Sequence, residues 1–376
     1  MLGTGGAVPI RGPWAMLRPM RILDGRVFAF VAFDVGFEIH LEHARRLLDG
    51  TRATGLKHDR PAPPAEVRYP EPPVEVALGE HRLPNGVPAT VSARLFDFGV
   101  VSIGFAMPAP PTLADLAPYG RALLEQAGLL AVADGHLRAL VPRVAPAVVR
   151  LDIVDLSEDY VVFQVSTLEG QPDAMVVVRD AAGDLARALT LEPTPLAPAY
   201  VEELLGTAVT YAPNDVVLSD WSAALIYDRR YDDTVAVFEY LNIQLLELRL
   251  QDRRLDAALE RFATVRGGAR GLGAFFNPYR QPVRELAELT MESTLLSERA
   301  VNAIKLLGDD YLARVARRAG ERLHLADWAA SIRRKQEAVT RLYETLNDQL
   351  ANIRAEALEL AIVLLIIFEI ALYFSE

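Results

Sequence analysis

The chain has 376 residues, 39 basic against 50 acidic side chains, a net charge of −11, no cysteine and a 51% hydrophobic fraction. That length accommodates two or three domains with a substantial core, and the acidic balance argues against a broad nucleic-acid-binding surface. The absence of thiols excludes a disulfide framework, a thiolate zinc site and a cysteine nucleophile.

Residues 1–20 hold Gly3, Gly5, Gly6, Pro9, Gly12 and Pro13. These break every apolar run that an export signal needs, so this stretch is predicted to be a disordered extension. Residues 21–192 read as an α+β domain. Arg26 to Phe33 is strand-like, and Glu38 to Leu48 spaces Ile39, Leu41, Ala44, Leu47 and Leu48 for one helix face. Residues 61–73 are proline-rich and form an extended connector. Ala89 to Phe96 and Val100 to Phe105 pair as a hairpin around Asp97-Phe98-Gly99. Leu113 to Leu130 follows as a helix, then Val144 to Val154 and Tyr160 to Val165 as strands. The order β-α-β-β-α-β-β predicts a ferredoxin-like sandwich with helices on one sheet face.

Pro193, Pro195 and Pro198 open a second half that reads as helical, in segments 193–282 and 283–356. Val237, Leu241, Leu245, Leu248, Leu255, Leu259 and Phe262 form one coiled-coil-like seam. Val339, Leu342, Leu346, Leu350, Ile353, Ala357 and Leu360 form another. Such seams serve self-association or a helical hairpin within one chain. Trp221 reads as a core residue, with Ser219 or Asp220 capping a helix. Residues 357–374, ALELAIVLLIIFEIALYF, are predicted to be a transmembrane helix. Arg354 and the basic residues before it would hold the body in the cytoplasm of a bacterium, with a single-pass C-terminal anchor in the inner membrane. Glu369 must then be protonated or paired with another helix.

Chemistry-bearing patterns are sparse. No P-loop and no Gly-x-Ser-x-Gly elbow occurs. Asp34, Glu38, His40 and His43 place two histidines three residues apart beside carboxylates, the spacing of a metal site on a helix face. Surface histidines in a first helical turn are the simpler account. Arg314, Arg318 and Arg322 step by four and form a basic stripe, with Arg317 beside it, able to face phosphates of RNA or lipid headgroups. Asp309, Asp310, Glu321 and Asp327 lie close enough to neutralise much of it.

The tail LELAIVLLIIFEIALYF resembles the C-terminal signature of the required-for-meiotic-nuclear-division family, with Glu359 and Glu369 on its two acidic positions. LFDFGVVSIGF (95–105) is similar to that family's aromatic-Gly-Val-Val strand pair, and residues 216–240 to its serine-containing helix. The resemblance covers residues 90–376. It implies an α+β domain, a helical section and one C-terminal membrane helix, as in mitochondrial members that support organelle translation as large homo-oligomers. It carries no catalytic residues over.

The expected function is therefore a non-enzymatic, membrane-anchored, self-associating scaffold without a cofactor. Its partners are further copies of itself, the lipid bilayer and an unidentified protein. Glu359, Glu369, Leu346, Leu350, Ile353 and Leu360 are the candidate membrane and oligomerisation residues. The alternative is a metal-dependent or nucleotide- or RNA-acting enzyme using the Asp34–His43 region.

Overall fold

The computed structural model describes residues 19–48, 72–125, 128–268 and 310–373. The chain divides into two compact units, Met1–Leu246 with Ile304–Leu323, and Glu247–Ala303 with His324–Glu376.

In the first unit, β1 (Ile22–Asp34), the two-residue β2 (Glu38–Ile39) and α1 (Leu41–Leu48) are followed by β3 (Val74–Arg82), β4 (Pro88–Leu95) and β5 (Val100–Pro108). Helices α2 (Leu116–Glu125) and α3 (Leu129–Val144) lead to β6 (Val148–Val149) and β7 (Ser157–Leu168). Next come α4 (Ala174–Asp180), α5 (Ala182–Thr190), α6 (Pro198–Leu205), β8 (Val216–Ser219), β9 (Ala223–Tyr227) and the start of α7 (Asp232–Gly268). The seven-stranded sheet runs β3-β4-β5-β1-β7-β9-β8, with every pair antiparallel except β7 and β9. The β2–β6 ladder stands apart.

Strand β1 occupies the centre because it is apolar on both sides. Val27, Ala29, Val31 and Phe33 join a core with Leu41, Leu123, Leu137 and Leu185 from the helices. Ala32, one step out of phase, packs on the opposite sheet face with Phe96, Val100 and Ile243 and Leu246 of α7. Tyr160 of β7 stacks on Phe238 at 5.8 Å, and Asn242 Nδ2 donates to the Glu158 carbonyl at 3.0 Å. Glycine is required where β4 turns into β5. Gly99 has φ of 90°, and a Cβ there would stand 1.9 Å from the Gly36 carbonyl oxygen.

α8 (Asp310–Arg322) belongs to the first unit, and α9 (Leu325–Tyr373) to the second. In the second unit Leu248, Leu255 and Ala258 of α7 form a core with Ile332 and Val339 of α9. Lys335 Nζ lies 2.7 Å from both Asp252 and Asp256. The two sequence seams thus meet within one chain over these residues.

Several expectations are corrected. The helical reading of 193–282 fails at 216–227, where β8 and β9 extend the sheet. Five consecutive buried residues, Ala223–Tyr227, read alike as strand or helix. Trp221 is 44% exposed in the turn between them and not in the core. The strand expected over 144–154 is only the two-residue β6, because α3 runs on to Val144. Among the described residues no helix is long and apolar enough to cross a membrane. The reading of 357–374 as a membrane-spanning, tail-anchoring helix is withdrawn on that finding. Between Glu359 and Glu369 only nine residues are uninterruptedly apolar, about 14 Å of helix against a hydrocarbon core of ~30 Å. Residues 1–18, 61–71 of the connector, 283–309 of the helical segment and 374 lie outside the described residues.

Candidate functional site

Helix α8 is amphipathic by construction. Leu312, Val315, Ala316 and Ala319 are spaced 3, 1 and 3 and are buried, which leaves Arg314, Arg317, Arg318 and Glu321 on the remaining faces. Asp310 in the first turn and Arg322 in the last complement the helix dipole. At its C-terminal end Arg322 grips Asp220, with Nε at 2.9 Å and Nη2 at 2.6 Å from Oδ1, and Nη1 lies 3.4 Å from Glu203. Asp220 is buried, and its backbone carbonyl accepts the Tyr160 hydroxyl at 2.8 Å. Burial draws the Arg322 pKa down, but hydrogen bonding and the Asp220 charge outweigh it and leave it raised. Burial first and then the Asp220 charge push the neighbouring Tyr200 hydroxyl up.

Opposite α8 runs the segment leading into β8. Val209 and Val217 exchange two backbone hydrogen bonds of 2.9 Å. The Asp215 carboxylate accepts the Tyr211 and Ala212 amides at 2.7 and 2.8 Å, fixing the turn. Between the two elements lies a recess of about 400 Å³ lined by Ala208, Val209, Thr210, Arg314, Arg317, Arg318 and Glu321. Three arginines against one glutamate give the lining a net charge of +2, and Asp310, 3.6 Å from Arg314, lowers it to +1. Arg318 donates to Glu321 at 3.0 Å. Arg314 Nε is buried without a hydrogen bond, and Arg317 makes no ion pair, among the described residues. Beside the recess Tyr211 is 78% exposed, its ring 5.9 Å from that of Tyr311, and the Arg314 guanidinium lies 5.9 Å over Tyr311. This arrangement can bind an anion and present an aromatic face next to it.

Two members of the predicted arginine stripe, Arg314 and Arg318, line this recess. The third, Arg322, does not, because it anchors the helix. Arg317, Glu321 and residues 208–210 complete the recess, and Tyr211 stands beside it. Arg317 was legible beside the stripe, and Tyr311, three residues before Arg314 on one helix face, had a sequence signal that could have found it.

The Asp34–His43 group does not converge on one point. Asp34 is buried at the end of β1, while His40 is exposed with Nδ1 3.4 Å from Glu38. Among the described residues no group of three or more potential ligands is placed to hold a metal, so His40 and His43 gain no third ligand. Glu359 is exposed on α9, and the side chains of Leu346, Leu350, Ile353, Leu360 and Glu369 lie outside the described residues. One histidine pair had no sequence signal. His81 of β3 and His136 of α3 meet edge-on at 5.4 Å.

The family model described as "Uncharacterized protein MJ0711, N-terminal domain" matches residues 24–234. A similar curated relative is the uncharacterized protein MJ0711 of the archaeon Methanocaldococcus jannaschii, 26% identical over 175 residues, 46% of this chain and 53% of its own. The chain thus spans about half the length of the relative it matches. No solved structure matches.

Proposed function

The chain belongs to the MJ0711 N-terminal-domain family, and we propose that it is a non-enzymatic, self-associating scaffold. In this reading the matched domain is a ferredoxin-like platform for another protein. The order β4-β5-β1-β7, all antiparallel, supports this, since it is the strand order of two interleaved β-α-β units. Kinship with the required-for-meiotic-nuclear-division family would extend the reading to assembly into large homo-oligomers. It is supported by the likeness of residues 95–105, which form the end of β4 and most of β5.

A single observation carries the self-association. From Ala361 to Phe368 every residue of α9 is exposed, and Leu358, Ile362 to Phe368 and Ile370 each leave 48–67% of their surface in solvent. Burying nine such side chains would release on the order of 10 kcal/mol. Val339 and Leu342, at the start of the α9 seam, already pack with α7 residues, and the exposed run further on is the apolar surface offered to a second copy. Because it is apolar around the whole helix, one neighbour cannot cover it, and assembly goes beyond a dimer.

Sedimentation equilibrium of the full chain in aqueous buffer tests this. Assemblies larger than a dimer at micromolar concentration, dispersed by Leu364→Glu with Ile367→Glu, are expected. A monomeric full chain overturns the reading.

A further inference from the structure

We propose that the recess between α8 and residues 208–210 binds a nucleoside phosphate. Its phosphate would rest on Arg314, Arg317 and Arg318, and its base on Tyr211. The proposal does not depend on self-association.

The phosphate half follows from donor supply. An arginine fork matches two phosphate oxygens, and charge-assisted donation is stronger where the donor is already shielded from water. Arg317 has no ion-pair partner among the described residues, and Arg314 Nε, buried and without a hydrogen bond, has only the exposed Asp310 carboxylate at 3.6 Å as a competitor. Arg318 gives one donor to Glu321 and keeps the others. Thr210 lines the opposite wall. The chain as a whole carries −11, so this local positive lining suits one compact anion better than a long polyanion.

The base half follows from the tyrosines. Tyr211 follows the wall residue Thr210, and Tyr311 supports it from one side at 5.9 Å. Its other surroundings are open, since 78% of it is exposed. A large aromatic side chain on a backbone fixed by the Asp215 turn, and itself left in solvent next to arginines, is a stacking platform. The volume, about 400 Å³, is within the range of small-ligand sites.

Isothermal titration of the full chain with AMP and, separately, with inorganic pyrophosphate tests both halves. Arg317 and Tyr211 are exposed, so their variants keep the wild-type melting temperature. AMP binding at one site per chain is expected, weakened about tenfold by Arg317→Gln and further by Arg314→Gln. Tyr211→Ala is expected to weaken AMP about tenfold and leave pyrophosphate unchanged. Equal binding of both probes, indifferent to Tyr211→Ala, overturns the nucleoside half. No binding of either probe at millimolar concentration, or binding undiminished in the double arginine variant, overturns the whole.

Discussion

Arg322 and Asp220 lie 102 residues apart in the sequence, yet two guanidinium nitrogens of the first meet a single carboxylate oxygen of the second at 2.9 and 2.6 Å. This pair fixes the C-terminal end of α8 on the β8–β9 turn. The Asp220 side chain is only 9% exposed, so removing either partner strands a desolvated charge. Asp220→Asn is expected to destabilise the first unit by about 2–3 kcal/mol. Urea unfolding would measure this, and amide exchange in α8 would quicken more than exchange in β1.

Gly99 and Gly36 form a second long-range dependency, between backbones. A methyl group at Gly99 would meet the Gly36 carbonyl oxygen at 1.9 Å, and the backbone is already at φ of 90°. Gly99→Ala is therefore expected to cost about 3 kcal/mol or more. Gly86 supplies the control, since its φ of 84° is similar and an added Cβ meets nothing within 4 Å. Gly86→Ala is expected to cost only about 1 kcal/mol, from backbone conformation alone. Equal losses in urea would show that the Gly36 contact contributes nothing.

How far these features were legible in the sequence depends on the range of the interaction. Phe96-Asp97-Phe98-Gly99-Val100 announces a hairpin because a glycine turn between β-type runs is a local signal. The central strand is legible in RVFAFVAF for the same reason. Strand β3 escaped because it is a sheet edge. Only Val74 and Val76 are buried on it, and Gly79, Glu80 and His81 dilute the alternation. β9 escaped for the opposite reason, being buried on both faces and paired in parallel with a strand about 60 residues earlier. The recess was half legible. A step of four arginines shows on one helix, but nothing local says that residues 208–211 stand opposite, or that Arg322 turns away to Asp220.

Lys335 supplies a pH test of the second unit. Burial lowers its pKa, but hydrogen bonds from its ammonium to Asp252 and Asp256, and their charges, outweigh this and leave the pKa above 10.5. A lysine whose pKa is raised on folding stabilises fully below the unfolded value and loses that contribution as pH rises through the folded one. Lys335→Met is expected to destabilise the α7–α9 pairing by about 1–2 kcal/mol at pH 7. The gap between variant and wild type should close above about pH 10.5. A gap that stays constant from pH 7 to 11 would mean that the aliphatic stem, and not the charge, makes the contribution.

His136 acts at the other end of the pH scale and with the opposite sign. Burial first, and the nearby His81 second, lower its pKa from 6.5, and its Nε2 is buried without a hydrogen bond among the described residues. The unfolded chain then takes up a proton that the folded chain refuses, so stability falls as pH descends from about 6.5 and levels off below the folded value. The two rings join β3 to α3 at 5.4 Å, so the loss should appear first as fraying of that edge strand. Urea midpoints measured from pH 7.5 to 5 are expected to fall more steeply for the wild type than for His136→Phe, which keeps an aromatic ring and cannot take up a proton. His81→Gln should give an intermediate slope, because it removes the second cause and leaves the first. If all three chains show the same slope, other groups carry the acid sensitivity, and the imidazole pair serves only as packing between strand and helix.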